Sequence, residues 1–306
     1  MFITNLLQRW TRSNNTRPDA YEPLLAIRPL SSSLEKNLFQ ICLRGKNESS
    51  AEILASFPKA FHENIDRLKM LNPTWEYFLI GDREAEDFIR DTYGDEILHY
   101  YQRIDKRHGS ARADFLKSLL LYARGGVYLD LKSSISIPLN QTLGEENRFC
   151  AFYWDNISGG KRHYLIPESA HEGEYLMGIM ASPKGHDYLR EVIVETLRRI
   201  DNYDPYSMGI GWEGVQRVTG PAMYTEVICR CREQMPEQPF RLARTFSEFG
   251  YVLSFQEQNY TPGRYQKKTG MQNYRNLSVP VVQSGNCAVQ FVNRIWLCMM
   301  KSFFKR

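Results

Sequence analysis

The chain has 306 residues, of which 42% are apolar and 24% charged. That composition suits a globular protein large enough to bury its own core, and excludes a disordered chain, a coiled coil, a collagen-like fibre and a polytopic membrane protein. With 39 Lys and Arg against 35 Asp and Glu the net charge is only +4, too balanced for a dedicated nucleic-acid binder.

In chain order, Met1–Trp10 is too short and too polar for the apolar core of a signal peptide, and no cleavage site follows it. No run of about 18 apolar residues occurs, so no spanning helix is expected. The expected compartment is the cytoplasm, and the N-x-S/T sequons at Asn14, Asn47, Asn140, Asn156, Asn259 and Asn276 read as accidental. Phe2, Ile3, Leu6, Leu7 and Trp10 lie beside Arg9, Arg12 and Arg17. Val289, Val292, Trp296, Met299 and Phe303 recur at helical spacing among Arg294, Lys301, Lys305 and Arg306. Such basic amphipathic ends either pack on the domain or lie on an anionic membrane surface, here the inner face.

Residues 11–33 read as an irregular lead. Leu38–Leu43 reads as a buried first strand ending at Arg44-Gly45, 58–71 as a helix halted by Asn72-Pro73, and 75–80 as a second strand. Helices are expected over 82–93 and 95–104, then over 111–126. Strands follow at 127–131 and 149–154, helices at 174–180, 184–200 and 221–234, and a late strand at 251–255. Strands alternating with helices predict an α/β sheet covered by helices. The economical parse is a lead (1–33), one main domain (34–260) and a tail (261–306). Cys42, Cys150, Cys229, Cys231, Cys287 and Cys298 are dispersed and read as free buried thiols.

The most informative stretch is 109–140. Phe115, Leu116, Leu119, Leu120 and Ala123 give a buried helix, with Asp114 and Lys117 three apart on one side. Arg124-Gly125-Gly126 ends it, because glycine adopts the left-handed cap. Val127-Tyr128-Leu129-Asp130-Leu131 is then an apolar strand with a carboxylate near its end, the place where open α/β sheets bind ligands. A carboxylate in such a run needs a metal, a lysine or a ligand hydroxyl to meet it. A salt bridge with Lys132 or Arg124 would also serve, and Asp114 alone would pass for a first-turn charge.

Arg112-Ala113-Asp114, followed by Leu-Leu-Tyr-Ala-Arg-Gly-Gly-Val-Tyr-Leu-Asp130, resembles the core of the DXD-type sugar transferases. These include the fungal α-1,6-mannosyltransferase-like family, bacterial capsular and lipopolysaccharide relatives, and the glucosylating clostridial toxins. Leu71-Asn-Pro-Thr-Trp-Glu-Tyr77, Phe39-Gln40-Ile41, Ala181-Ser-Pro-Lys-Gly-His186 and Thr219-Gly-Pro221 agree with that family in order, so the resemblance spans about residues 36–255. It implies a GT-A fold, a Rossmann-like mixed sheet flanked by helices, that binds a nucleotide-sugar donor and transfers the sugar with retention. By the resemblance Asp114 holds hydroxyls of the donor sugar and Lys117, in place of the more usual Arg, lies near the same donor. Asp130 contacts the ribose or a metal. Arg112, Gly125, Gly126, Tyr128 and Lys132 complete the expected donor site, with Asp114 and Lys132 as its catalytic pair.

The sequence departs from the family at the DXD itself, which reads Asp130-Leu131-Lys132. The second acid normally helps hold Mn²⁺ or Mg²⁺ across the diphosphate. A charged lysine cannot ligate a cation, yet its ammonium can act as a point charge against phosphate. Three readings stay open: transfer without a metal, with Lys132 on the diphosphate; a cation held by Asp130 and ligands elsewhere; or an inactive enzyme. Trp154-Asp155 and the Gly-rich loop bearing Trp212-Glu213 are candidate acceptor contacts, since an indole face and a carboxylate suit a sugar ring. The acceptor expected is a cell-surface glycan or glycolipid. The alternatives are a pseudo-transferase serving as a binding subunit and a toxin-like transferase that modifies a protein.

Overall fold

Strand-forming runs alternating with helix-forming ones give, in a computed structural model describing residues 20–144, 147–154, 173–255 and 274–283, one mixed sheet with helices on its faces. The strands are β1 (Asn37–Ile41), β2 (Glu76–Ile80), β3 (Gly126–Leu129), β4 (Ser134–Ile135), β5 (Phe149–Phe152), β6 (Ile179–Ser182), β7 (Phe240–Ala243) and β8 (Tyr251–Val252). The helices are α1 (Ser50–Ala55), α2 (Lys59–Leu71), α3 (Asp82–Tyr93), α4 (Asp95–Arg103), α5 (Gly109–Arg124), α6 (Leu139–Thr142), α7 (Asp187–Asp201), α8 (Gly211–Val218) and α9 (Pro221–Gln234).

The main sheet has the order β2-β1-β3-β6-β5-β7, and β4 pairs with β8 in a small second sheet. β1 runs parallel to β2 and β3, and β5 parallel to β7, while β6 is antiparallel to both β3 and β5. The carboxyl ends of β1, β2, β3, β5 and β7 therefore share one edge. Successive strand residues serve opposite faces. Phe39, Tyr128, Ala151 and Met180 join the core built by α5, α7 and α9. Leu38, Val127, Cys150 and Ala181 join the core containing Leu68, Ile135 and Phe249. Both faces are covered, which is why these strands read as largely apolar runs.

α5 is buried nearly all round, from Ala111 to Ala123. It runs back along β3, so its first turns lie level with the carboxyl edge. Gly125 and Gly126 make the reversal with φ of 63° and 109°. A side chain at Gly125 would enter Glu35 and the Lys184 amide; one at Gly126 would enter the Asn37 carbonyl. Gly126→Ala is therefore expected to lose about 3 kcal/mol or more of stability, read by urea unfolding.

Several elements differ from the sequence reading. Residues 174–180 are not helical: Tyr175 bridges Tyr153, and the chain then enters β6. An unbroken apolar run has no period that separates strand from helix, and Gly178 is where other groups approach the backbone closely. The Gly-rich loop at 209–214 largely belongs to α8, whose Gly214 allows Val281 to pack against it. Cys229 is half-buried, whereas Cys42, Cys150 and Cys231 are buried thiols. The flanks join the core: Tyr21 and Leu25 are buried, the Tyr21 hydroxyl donates to Asp201, and Val282 bridges Ile104. The terminal amphipathic segments, residues 1–19 and 284–306, lie outside the described residues.

Candidate active site

β3 delivers Asp130 just beyond its last strand residue, at the shared carboxyl edge. The Asp130 amide donates to the Gly178 carbonyl at 2.8 Å, and its own carbonyl accepts from the Ser133 amide at 2.8 Å, closing a tight turn over 130–133. That turn puts Lys132 beside Asp130, with Nζ 3.6 Å from Oδ2. Asp130 and Lys132 remain 30% and 22% exposed, so a ligand can reach both.

Behind this pair lies a second. Lys117 Nζ sits 2.7 Å from Asp114 Oδ1, with the two side chains only 3% and 13% exposed. The ammonium also donates to the Met177 carbonyl at 2.8 Å and lies over the Tyr128 ring, 4.7 Å from its centre. The Tyr128 hydroxyl donates to Asp130 Oδ1 at 2.8 Å. The chain Asp114–Lys117–Tyr128–Asp130–Lys132 is thus continuous, with two acids and two bases. Burial raises the Asp114 carboxyl to about 6, against the pull of Lys117 and with a small push from Asp130.

The other expected donor residues are placed differently. Arg112 is two residues from Asp114, about 200° round the helix. It pairs with Glu86 at 2.8 Å and stacks on Tyr101, 4.1 Å from the ring centre, on the α3–α4 side. Gly125 and Gly126 stand at the opposite end of β3 from Asp130, about 13 Å away along the strand. Their glycine character serves the reversal after α5, and a donor-contact role is not what their position supplies. Tyr128 is buried and meets Asp130 from behind.

Trp154 emerges at the same edge as Asp130. Cys150 and Val127 both pair with Ala181, which puts Trp154 one residue further along its strand than Asp130 is along β3. Its indole N–H donates to Glu174 Oε1 at 2.9 Å, and burial raises the Glu174 carboxyl. Asp155 lies outside the described residues. Trp212 and Glu213 occupy the first turn of α8, which is held beside the start of α5: the Gly211 amide and the His108 ring both bond the Val279 carbonyl.

The sequence analysis gave no site role to Gly178, Tyr251, Ser133 or Gln40, which meet at this edge. A Cβ at Gly178 would lie 2.7 Å from the Tyr251 hydroxyl and 3.3 Å from Asp130 Oδ2, so glycine lets these two groups converge. Ser133 Oγ bonds the Tyr251 hydroxyl at 2.9 Å. Gln40 is fully buried and donates to the Asp130 carbonyl at 3.0 Å. A Gln in an apolar strand was the one visible signal.

The described residues fit a divalent cation poorly. Asp130 has an ammonium at 3.6 Å, where the DXD pattern would set a second carboxylate, and Asp114 is engaged by Lys117. Among the described residues no group of three His, Cys, Asp or Glu converges. Oxygen-loving cations need several such ligands.

Residues 58–149 match the family model described as the glycosyltransferase sugar-binding region containing the DXD motif. The initiation-specific alpha-1,6-mannosyltransferase of Candida albicans is 24% identical over 225 residues, a match covering 68% of this chain and 56% of that protein. The chain thus spans about half the length of the curated relative it matches. Among solved structures, PaToxG glycosyltransferase is 14% identical with a TM-score of 0.43, covering 89% of this chain and 95% of that one. The UDP-bound glycosyltransferase domain from the YGT toxin is 10% identical with a TM-score of 0.44, covering 88% and 90%. Asp114, Lys117, Asp130 and Lys132 all fall within the residues that this family model matches.

Proposed function

We propose that the chain transfers a sugar from a nucleotide-sugar donor to a glycan or lipid-linked acceptor, with retention at the anomeric carbon and without a divalent cation. The observation that carries this reading is the Asp130–Lys132 pair at the sheet edge, backed by the buried Asp114–Lys117 pair. Asp114 would accept hydrogen bonds from donor-sugar hydroxyls, held for that purpose by Lys117. Asp130 would receive the ribose hydroxyls. The Lys132 ammonium would meet the diphosphate, supplying the positive charge that a bridging cation supplies elsewhere in the family.

In the reaction the bond from the anomeric carbon to the phosphate oxygen breaks, and its electron pair leaves with the nucleoside diphosphate. The acceptor hydroxyl oxygen bonds to the same face, and its proton passes to the departing phosphate oxygen. The work of the protein is then placement and charge stabilisation, with no side-chain nucleophile needed. Trp154 stands at the same edge, where an indole face can carry an acceptor ring. The proposed setting is the cytoplasmic face of a membrane. Among the described residues no helix is long and apolar enough to cross one.

A second reading is a binding subunit without turnover, and Lys132 in the place of the second acid favours it. A thermal-shift screen of nucleoside diphosphates and nucleotide-sugars, each with Mn²⁺ and with EDTA, separates the two. A shift that survives EDTA, together with donor cleavage, is the expected result. A shift without cleavage supports the binding subunit, and no shift with any nucleotide contradicts both.

A further inference from the structure

The Asp130–Lys132 turn is anchored from a neighbouring strand by a side chain with no other evident task. Gln40 is the fourth of the five residues of β1, flanked by Phe39 and Ile41, and is 0% exposed. A buried amide in an apolar strand is costly unless both ends are bonded. Both ends are: its N–H donates to the Asp130 carbonyl at 3.0 Å, and its oxygen accepts from the Tyr77 hydroxyl at 2.8 Å. Tyr77, on β2, must donate here, because the alternative amide orientation would set the Gln40 oxygen against the Asp130 carbonyl. The hydroxyl thereby orients the amide.

The Asp130 carbonyl receives two donors, Gln40 from β1 and the Ser133 amide within the turn. Fixing that carbonyl fixes the peptide plane between Asp130 and Leu131, and with it the direction in which Lys132 leaves the turn. The far side is tied as well: the Phe255 amide donates to the Lys132 carbonyl at 3.1 Å, and the Asn64 side chain donates to the Ser133 carbonyl at 3.1 Å.

We infer that Gln40, oriented by Tyr77, is a positioning residue that sets the geometry of the Asp130–Lys132 pair. The inference rests on the donor-handling reading of that pair for its functional consequence. Its structural content is independent of that reading.

Two measurements on the full chain test it. The first needs no activity: the rate at which an amine-reactive reagent labels Lys132, read by mass spectrometry against exposed Lys59 as internal reference. Gln40→Leu is expected to raise Lys132 labelling about threefold by loosening its pairing with Asp130, a change of the size one hydrogen bond produces. Tyr77→Phe shifts it in the same direction by less, and the double variant matches Gln40→Leu alone because both act through one amide. The second is the steady-state split: donor KM is expected to rise about tenfold in Gln40→Leu while the melting temperature moves by only a few degrees.

Unchanged labelling and unchanged KM, with a lowered melting temperature, would reduce Gln40 to a core residue and overturn the inference. If Gln40→Leu does not fold, Tyr77→Phe decides by the same two readouts. Raised labelling in a protein whose wild type binds no nucleotide would support the positioning role and contradict the donor reading alone.

Discussion

Asp114→Asn is expected to lower turnover about 10³-fold, equivalent to about 4 kcal/mol of transition-state stabilisation, with the far-ultraviolet spectrum and melting temperature held. The substitution keeps the shape and a carbonyl oxygen for Lys117, so the buried ammonium retains an acceptor besides Met177. What it removes is the charge that would orient donor hydroxyls. The pH dependence should follow the same group. Asp114 titrates at about 6 because burial outweighs the attraction of Lys117. In the proposed reading its ionised form is the acceptor, so kcat/KM should be level above that value and fall about tenfold per unit below it. The stability linkage has the opposite sign: a carboxyl raised in the folded state binds its proton more tightly there than when unfolded. Its contribution favours the folded state more as pH drops through the window between 3.8 and about 6. Acid loss of activity with the melting temperature unchanged at the same pH would identify it as a titration of the site. Wild-type turnover in Asp114→Asn would contradict the assignment.

The second large effect concerns Lys132. Lys132→Ala removes the ammonium that sits 3.6 Å from Asp130 Oδ2 and is expected to cut turnover about 10²- to 10³-fold, in EDTA and in Mn²⁺ alike. Lys132→Asp is more discriminating. It sets two carboxylates on one turn, an oxygen-rich pair that suits Mn²⁺ or Mg²⁺. Turnover should then be lost in EDTA and recover at least about tenfold with Mn²⁺, whereas the wild type should change little between the two conditions. A wild type that is silent in EDTA and active in Mn²⁺ would show that a cation is held by Asp130 with other ligands.

The parts of this arrangement that were legible in the sequence are those written in local chemistry. Pro221 behind Gly220 marks the start of α9, and the expected helix over 221–234 matches its bounds. The Gly-Gly reversal marks the end of α5, and an aspartate closing an apolar strand marks the carboxyl edge of the sheet. The spacing of three already put Asp114 and Lys117 on one side of the helix, where they pair. What was hidden depends on partners far along the chain. Arg112 adjoins Asp114 in sequence but points to α3 and α4, because two residues turn a helix by about 200°. Gly125 and Gly126 sit in the motif, yet their constraint comes from Glu35, Asn37 and Lys184 across the strand's other end. The strand that became β6 was unreadable because its run is apolar throughout and its Gly178 answers to Tyr251. Gln40 was visible as a polar residue in an apolar strand, but only the pairing of β1 with β3 shows that its amide meets Asp130.

The most direct test of the central claim is to incubate the full chain in EDTA with a panel of nucleotide-sugars and follow donor consumption and the anomeric configuration of the released sugar by NMR. One donor cleaved to its nucleoside diphosphate without a cation, its sugar appearing first with the donor's own configuration and the reaction lost in Lys132→Ala, is the predicted result. No cleavage in EDTA of any donor that Mn²⁺ allows the protein to cleave would contradict the role given to Lys132, and no cleavage under either condition would contradict transfer itself.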